Sequence, residues 1–380
     1  MRECKRQGCR VLLLTAEKLR DADWPRECLD NTFYLPAEIP IGDIVNAVAH
    51  LARTEKIDRV VALDEFDMET ASTLREHLRL PGMGLTTMRY FRDKLAMRMK
   101  AVEGGIRVPD FVPVVNHGDI RYYLEHVPGP WVLKPRQEAS AIGIKKIHSG
   151  EELWPVLEEL GDKQSSFLLE RFVPGEVYHV DSVVSENEVV FANVSKYGKP
   201  PMNVAQGGGV FTTFTIPRQT EEDSELRKIN RVLLAALGLV RGVSHAEFIQ
   251  SHADGELYFL ECAARVGGAY INEMVEAATG INLWREWARI EIAGGDGSYH
   301  LPPTREEYAG VILSLARQEW PDTSAYDDPE IYLRIKRHHH AGLILRSNDA
   351  QRIPALLERY ARRFATEFTA IEPPRDKPTA

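Results

Sequence analysis

Short apolar runs alternate with an amphipathic segment at the start of the chain. Residues 11–14 (Val-Leu-Leu-Leu) and 60–63 (Val-Val-Ala-Leu) are continuous apolar stretches, typical of strands that are buried on both faces. Between them, residues 41–56 repeat apolar side chains at helical spacing. The order strand, helix, strand predicts a Rossmann-like α/β domain over residues 1–90.

The segments that follow these two strands qualify that interpretation. The first strand runs into Thr-Ala-Glu-Lys, which lacks the glycines of a pyrophosphate-binding turn, so we do not expect this domain to hold a dinucleotide. The second strand runs into residues 64–67, Asp-Glu-Phe-Asp, where open α/β sheets bind ligands. A helix N-cap with acids in its first turn is the alternative interpretation of these four residues.

Two later stretches carry a glutamate among apolar residues. Residues 243–249 and the start of the stretch 257–268 each predict a strand, and the Ser-His-Ala-Asp-Gly segment between them is a turn signal, so we expect a hairpin. In that hairpin Glu247 and Glu261 lie directly opposite one another, or become diagonal neighbours if the turn shifts by one position.

The two glutamates are the unusual feature of this hairpin. Strict alternation puts Glu261 on one face with Leu257 and Phe259, while Cys262 points to the other face. Carboxylates this close repel each other unless a cation lies between them, and Mg²⁺ is usually held by one or two carboxylates together with phosphates. The pattern therefore predicts a metal and phosphate site, with an edge hairpin bearing solvated acids as the alternative.

Candidate phosphate-binding groups occur upstream of the hairpin. Residues 92–103 predict a helix with Lys94 near its N-terminus, which is unfavourable for a cation unless an anion is close by. Residues 131–147 predict two strands, the first of which ends at Lys134, joined by a loop of small residues that can fold over phosphates. A solvated lysine and an ordinary hairpin are the respective alternatives.

Three further segments bear on function. Residues 221–237 predict an amphipathic helix, and the glycine-rich residues 206–209 predict a flap. Residues 331–345 predict a strand in which His338 and His340 share a face. That pair admits three interpretations, namely a metal site, a pocket lining and solvated histidines.

Composition and charge exclude several classes of protein. A chain of 380 residues predicts several subdomains, and a formal net charge of −9 argues against a general nucleic-acid binder. The four cysteines have no Cys-x-x-Cys spacing, so we expect neither a zinc site nor a disulfide framework, and the setting should be cytoplasmic. No run approaches the roughly 18 apolar residues of a membrane span, and the N-terminus does not read as a signal peptide, so we expect no membrane partner.

Several candidate residues occur in a fixed order along the chain: Lys94, Lys134 with its small-residue loop, residues 170–173 (Glu-Arg-Phe-Val), Glu247, and Glu261 with Arg265. This ordered set resembles the ATP-grasp superfamily, and in particular its carboxylate–amine ligase branch. The resemblance implies an α/β (α+β) protein with a Rossmann-like N-terminal domain, followed by an ATP-grasp fold in which two α+β subdomains clamp the nucleotide. The implied divisions are residues 1–90, the central subdomain 91–175 with the phosphate loop, the catalytic subdomain 176–295 and a small C-terminal subdomain 296–380.

The resemblance implies ligands for ATP at four places. These are the α- and β-phosphates, a loop that closes over them, the adenine edge in the hinge, and the ribose hydroxyls. The residues implied, in that order, are Lys94 and Lys134; Ser140 to Gly143; Glu170 and the backbone near Val173; and either Glu176 or Asp181.

The same resemblance implies a metal and catalytic group. Mg²⁺, with Mn²⁺ as an alternative ion, would be held by Glu247 and Glu261, and Arg265 would face the transferred phosphoryl group. One position departs from the family pattern Glu-x-Asn-x-Arg, because Ala263 stands where Asn would complete the metal shell. The alternatives are that water or a phosphate oxygen fills this coordination position, that metal binding is weaker, or that the protein is an inactive relative.

Substrate contacts and function complete the expectation. His245, Gly208 and Gly268 are the expected substrate contacts, although His245 is equally compatible with a packed strand position. The expected reaction joins a carboxylate, from an amino acid or related acid, to an amine through an acyl phosphate, in a protein that could form a homodimer. A carboxylase-type ATP-grasp enzyme and a catalytically impaired ATP-binding protein are the alternatives.

Overall fold

The computed structural model describes residues 1–138, 143–201 and 209–370. Over these residues the strands form sheets of two, four and eight strands. The strands are β1 (Leu12–Ala16), β2 (Asn31–Leu35), β3 (Phe111–Pro113), β4 (Trp131–Pro135), β5 (Lys145–Ile147), β6 (Phe167–Arg171), β7 (Gly175–Ser185), β8 (Glu188–Tyr197), β9 (Phe211–Thr215), β10 (Gly242–Ser251), β11 (Leu257–Ala263), β12 (Tyr308–Leu315), β13 (Ile331–Arg337) and β14 (His340–Ser347).

Helices pack against these sheets, so the fold class is mixed α/β, as the pattern and the resemblance predicted. In the described part of the chain, no helix combines the length and the apolar character that a bilayer crossing requires. The α-helices are Arg2–Arg6, Ile41–Leu51, Met68–Leu78, Leu85–Arg89, Lys94–Glu103, His117–His126, Gly150–Leu160, Glu221–Leu237, Ile271–Thr279, Leu283–Ala293 and Arg352–Glu367.

The N-terminal segment contains a parallel pair of strands, β1 and β2, with Leu12 opposite Asn31. The predicted first strand and the helix at Ile41–Leu51 are confirmed. The prediction of a strand at residues 60–63 is wrong, because those residues join no sheet. Instead, the backbone carbonyl of Val60 accepts a hydrogen bond of 2.8 Å from the Arg75 side chain.

The four-stranded sheet has the order β3-β6-β4-β5 and is antiparallel throughout. The predicted pair of strands around the small-residue loop is present as β4 and β5. One face of this sheet packs on the helices His117–His126 and Gly150–Leu160 around a core that includes Leu133, Leu153 and Leu169. This arrangement leaves Lys134 near the end of β4, facing away from that core.

The eight-stranded sheet has the order β11-β10-β7-β8-β9-β12-β14-β13. Its strands come from both sides of position 296, where the C-terminal subdomain was predicted to begin. The subdomain boundaries stay a prediction. The expected single strand at residues 331–345 is wrong: β13 ends at Arg337, and His339 adopts a left-handed conformation with φ 54° in a tight turn. The histidine run therefore lies at a hairpin turn.

A buried ion pair joins the two larger sheets. Arg98, fully buried on the helix Lys94–Glu103, donates from Nε and Nη2 to one oxygen of Glu170 on β6, at 3.2 and 3.0 Å. Its Nη1 donates to the backbone carbonyl of Leu260 on β11. One guanidinium thus holds a helix, the four-stranded sheet and the edge of the eight-stranded sheet together.

Replacing Arg98 with Met should therefore destabilise the whole chain. The change leaves the Glu170 carboxylate buried with a single cationic partner, which costs about 3–5 kcal/mol. Urea unfolding of R98M and the wild type measures the difference. The matched control is R2M, because the Arg2–Glu27 pair is exposed and its loss should change stability by less than about 1 kcal/mol. Equal stability of R98M and the wild type would contradict this role.

Candidate active site

Polar side chains occupy one face of the eight-stranded sheet where β7, β10 and β11 lie side by side. The opposite face of the same strands is apolar and packs on the helix Glu221–Leu237. The ladder registers arrange the polar positions in two rows across the strands. The first row is His179, Glu247 and Glu261, and the second row is Asp181, His245 and Ala263.

Glu247 and Glu261 are direct partners in the β10–β11 ladder, which is the first of the two arrangements expected for the hairpin. The ladder then shifts, because Phe248 pairs with Phe259 and Leu260 is the extra residue of a bulge. The prediction that Glu261 shares a face with Phe259 is therefore wrong: Phe259 lies in the apolar core and Glu261 on the polar side. The bulge reverses the alternation between these two positions.

Cys262 lies in the apolar core, on the face opposite Glu261, as expected. Burial raises the pKa of its thiol. A thiol buried on the apolar face does not reach the polar groups of this site, which argues against a nucleophilic role.

The helix Lys94–Glu103 brings a cation to the glutamates. Asp93 caps this helix by accepting hydrogen bonds from the backbone of its first turn. Lys94 is buried, and its Nζ lies 3.2 Å from Glu261 and donates to the Glu138 carbonyl at 2.6 Å. Burial alone would raise the pKa of Glu261, but the charges of Lys94 and Lys134 outweigh it and lower the pKa to about 2. Glu261 is thus fully ionised at neutral pH.

Lys134 and Glu170 form a second charged contact on β4 and β6. The Lys134 ammonium donates to one oxygen of Glu170, and Arg98 donates to the other. Burial opposes ionisation of Glu170, yet these two cations lower its pKa. The Glu170 carboxylate, expected at the adenine edge, is instead enclosed by protein cations. Arg98 was missed by the sequence interpretation, although a charged residue on the buried stripe of a helix was an available signal.

The hinge after β6 contains the expected adenine and ribose contacts. Val173 is buried, and among the described residues no protein oxygen accepts from its backbone N–H. Glu176 is partly exposed, with Lys196 at 3.3 Å and His252 at 3.5 Å. Asp181 is fully buried, and both of its oxygens are bonded to histidines. Glu176 is therefore the one of the two acids that is open to solvent.

His245 lies in the second row beside the glutamates. Its Nδ1 is 2.8 Å from Asp181, and its Nε2 is 3.5 Å from Glu247 and 3.3 Å from the Tyr197 hydroxyl. Burial lowers the pKa of His245, but the negative charge of Asp181 and the hydrogen bond to it raise the pKa to about 10. Tyr197, which the sequence did not single out, donates to Glu247 at 2.7 Å.

Arg265 is anchored by the N-terminal segment. Its Nη2 and Nε donate to one oxygen of Glu65, at 2.7 and 3.2 Å, and Arg92 donates to the other oxygen at 2.9 Å. Glu65 belongs to the acidic residues 64–67, so one acid of that segment does reach the site. The helix-cap alternative is supported in position, because Asp67 is the N-cap residue of the helix Met68–Leu78, although its side chain makes no capping hydrogen bond.

Of the loop residues expected to contact phosphates or substrates, the structure describes some and not others. Gly143 has a φ of 71°, which favours glycine, and a side chain at Gly268 would meet open space. Ser140 and Gly208, together with most of the expected flap, lie outside the described residues.

The donor set fits a hard divalent cation and a polyphosphate. Two opposed carboxylates supply oxygen ligands of the type that Mg²⁺ prefers, and the Tyr197 hydroxyl donates to one of them, Glu247. Lys94 and Lys134 lie beside the carboxylates and can neutralise phosphate oxygens. The arrangement can therefore bind a metal–nucleotide pair.

Sequence comparison supports this assignment. A family profile described as an ATP-grasp domain matches residues 127–273. The L-arginine-specific L-amino acid ligase of Bacillus subtilis is 29% identical over 242 residues, which cover 62% of this chain and 58% of that protein. A D-alanine–D-alanine ligase of Thermoanaerobacter sp. is 27% identical over 206 residues, which cover 50% of this chain and 56% of that protein. The chain thus matches little more than half the length of either relative.

Structural comparison extends the similarity to nearly the whole chain. The crystal structure of an L-amino acid ligase from Bacillus licheniformis superposes with a TM-score of 0.75 at 20% identity, covering 97% of this chain and 94% of that one. An N5-carboxyaminoimidazole synthetase from Staphylococcus aureus, complexed with ADP, superposes with a TM-score of 0.71 at 15% identity, covering 95% and 92%. At these identities the likeness establishes the fold. Residues 127–273 therefore match the ATP-grasp domain, and the chain has sequence similarity to an L-amino acid ligase and to D-alanine–D-alanine ligases.

Proposed function

We propose that this chain is an ATP-dependent carboxylate–amine ligase that activates an amino acid or related acid as an acyl phosphate. The observation that carries the proposal is the opposed pair Glu247 and Glu261, with Lys94 at 3.2 Å from the latter. Acids and a cation arranged in this way suit a metal–polyphosphate pair. The relatives named as amino acid ligases support amino acids as the substrate class.

ATP would lie between the four-stranded and eight-stranded sheets. Lys94 and Lys134 would contact the α- and β-phosphates, and the loop containing Ser140 and Gly143 would close over them. The backbone N–H of Val173, which has no acceptor among the described residues, would donate to the adenine edge, and the partly exposed Glu176 would accept from the ribose hydroxyls. Glu170 would act indirectly, by holding Lys134 in position.

The residues that would hold the metal are Glu247 and Glu261. A bound Mg²⁺, or Mn²⁺ in its place, supplies Lewis-acid stabilisation of charge on the phosphates. The protein contributes the spacing of the two carboxylates, which the β10–β11 ladder sets, and the ionised state of Glu261 at neutral pH.

The chemistry requires a better leaving group than oxide on the substrate carboxylate. A carboxylate oxygen takes the γ-phosphoryl group of ATP with release of ADP, and an amine nitrogen then attacks the acyl carbon and displaces phosphate. Phosphoryl transfer depends chiefly on positioning and charge neutralisation. Arg265, fixed by Glu65, would neutralise the transferred group, and His245, Gly208 and Gly268 would contact the substrates.

A hydroxylamine assay tests the proposed reaction. Incubating the protein with ATP, Mg²⁺, hydroxylamine and individual amino acids should produce a hydroxamate, because hydroxylamine intercepts an acyl phosphate. ADP release should depend on the same amino acids. ADP release stimulated by bicarbonate alone would favour a carboxylase instead, and nucleotide binding without turnover would favour an impaired protein.

Replacing Glu261 with Gln should lower kcat/KM for ATP by about 100-fold or more. The change removes a negative ligand from a site where the ion supplies several kcal/mol of charge stabilisation. Steady-state ADP release measures the effect. E256Q is the matched control, since Glu256 lies just outside the same hairpin strand and pairs with exposed Arg107. Similar losses in both variants would argue against a role for Glu261 at the metal.

Replacing Glu65 with Gln should lower kcat by about 10–100-fold while leaving the KM for ATP nearly unchanged. The variant removes the charge that fixes Arg265, and small displacements of a positioned group cost rates of this order. E69Q is the control, because Glu69 is an exposed acid four residues further on. An E65Q enzyme with wild-type kcat would show that Arg265 needs no such anchor.

A further inference from the structure

His245 lies opposite the position at which the metal shell lacks a ligand. Ala263 stands where the family pattern has Asn, and a methyl group cannot coordinate an ion. Across the β10–β11 ladder Ala263 is paired with His245, just as Glu261 is paired with Glu247. His245 and Glu247 are two residues apart on one strand, so their side chains point to the same face. The imidazole therefore lies in the row that Ala263 leaves without a donor atom.

The two ring nitrogens of His245 have different surroundings. Nδ1 lies 2.8 Å from the fully buried Asp181, which sits opposite His245 in the β7–β10 ladder. Nε2 points toward the metal-site carboxylate Glu247, at 3.5 Å. A carboxylate on one ring nitrogen fixes the ring orientation and makes the other nitrogen a stronger ligand, which is the usual support of a metal-binding histidine.

His179 and Asp181, which lie beside His245, already have hydrogen-bond partners at both of their polar side-chain atoms. The potential ligand atoms of His179, Asp181 and His245 lie within 4.8 Å of one another. His179, however, bonds Asp181 and the Thr213 hydroxyl through its two nitrogens, both at 2.7 Å. Both oxygens of Asp181 are bonded to the two histidines. Nε2 of His245 is the ligand atom of this cluster that faces Glu247.

The loop after Arg265 packs directly on this arrangement. A Cβ at Gly267 would lie 2.9 Å from Nδ1 of His245 and 3.1 Å from Asp181. Both distances are shorter than ordinary van der Waals contact, so the loop backbone confines the ring and the carboxylate. The ring is therefore positioned by Asp181 on β7, by the Tyr197 hydroxyl on β8 and by this loop.

We propose that Nε2 of His245 is a third ligand of the divalent cation held by Glu247 and Glu261, in place of a side chain at position 263. The inference rests on the proposed function, since it concerns the ion of the same site. The ion displaces any proton on Nε2, while Asp181 continues to hold Nδ1. A nitrogen among oxygen ligands shifts the preference of a site from Mg²⁺ toward first-row transition ions.

Pulsed electron paramagnetic resonance of bound Mn²⁺ tests this ligand directly. The samples are the full chain with Mn²⁺ and ADP, prepared from natural-abundance and from ¹⁵N-labelled protein. We expect a coupling to one coordinated nitrogen that changes from the ¹⁴N to the ¹⁵N pattern on labelling, and that is lost in H245Q. Binding titrations should show at least about 10-fold weaker Mn²⁺ affinity for H245Q in the presence of ADP.

Two further variants sharpen the result. H338Q is the control for a histidine elsewhere, since His338 is exposed at the β13–β14 turn, and it should retain the coupling. Adding A263N to H245Q should recover Mn²⁺ affinity without restoring the nitrogen coupling, because an amide oxygen replaces the imidazole.

Two outcomes would overturn the inference, and they are distinguishable. If Mn²⁺ and ADP bind but no protein nitrogen is coupled, or if the coupling survives in H245Q, His245 is not a ligand and the proposed function stands. If the wild-type chain binds neither ADP nor Mn²⁺, the proposed function fails and this inference fails with it.

Discussion

The buried contacts of Arg98 and Glu170 are the constraint on which the site depends. Arg98 is fully buried and Glu170 nearly so, and buried charges are costly unless they are paired and hydrogen-bonded. Their pairing fixes the helix Lys94–Glu103 against β6, and the third bond of Arg98 holds the backbone of β11 at its bulge. Lys94 begins that helix and Glu261 follows that bulge. The same contacts that join the sheets therefore set the distance between the cation and the acid of the site.

The site itself is built on strands, which gives it precision. The ladder of β7, β10 and β11 sets the spacing of the two rows of polar side chains, and the charges within the rows compensate one another. Lys94 and Lys134 keep Glu261 ionised, and Asp181 supports His245. Glu65 brings the N-terminal segment into contact with Arg265. Carboxylates, cations and an imidazole are in this way brought to one surface.

Much of the architecture follows from local patterns. Strand and turn signals identified β10 and β11 and brought Glu247 and Glu261 to opposite or diagonal positions, and the bulge at Leu260 makes them direct partners. Helical periodicity identified Ile41–Leu51, Lys94–Glu103 and Glu221–Leu237. The errors arose where a single residue changes the pattern: the bulge at Leu260 reverses a face, and the turn at His339 divides an apparent strand in two. Such local irregularities depend on backbone partners that the alternation of residue types does not reveal.

The sequence alone determined much of the order of elements, the proximity of the two glutamates, the lysines that accompany them and the missing donor at Ala263, because each of these depends on spacing along a short stretch of chain. Only the tertiary structure decided which partners those groups have. The pairing of Glu65 with Arg265 spans 200 positions, and that of Asp181 with His245 spans 64. Contacts between residues so far apart depend on how the sheets pack, and the packing of buried charges against one another is a property of the whole fold.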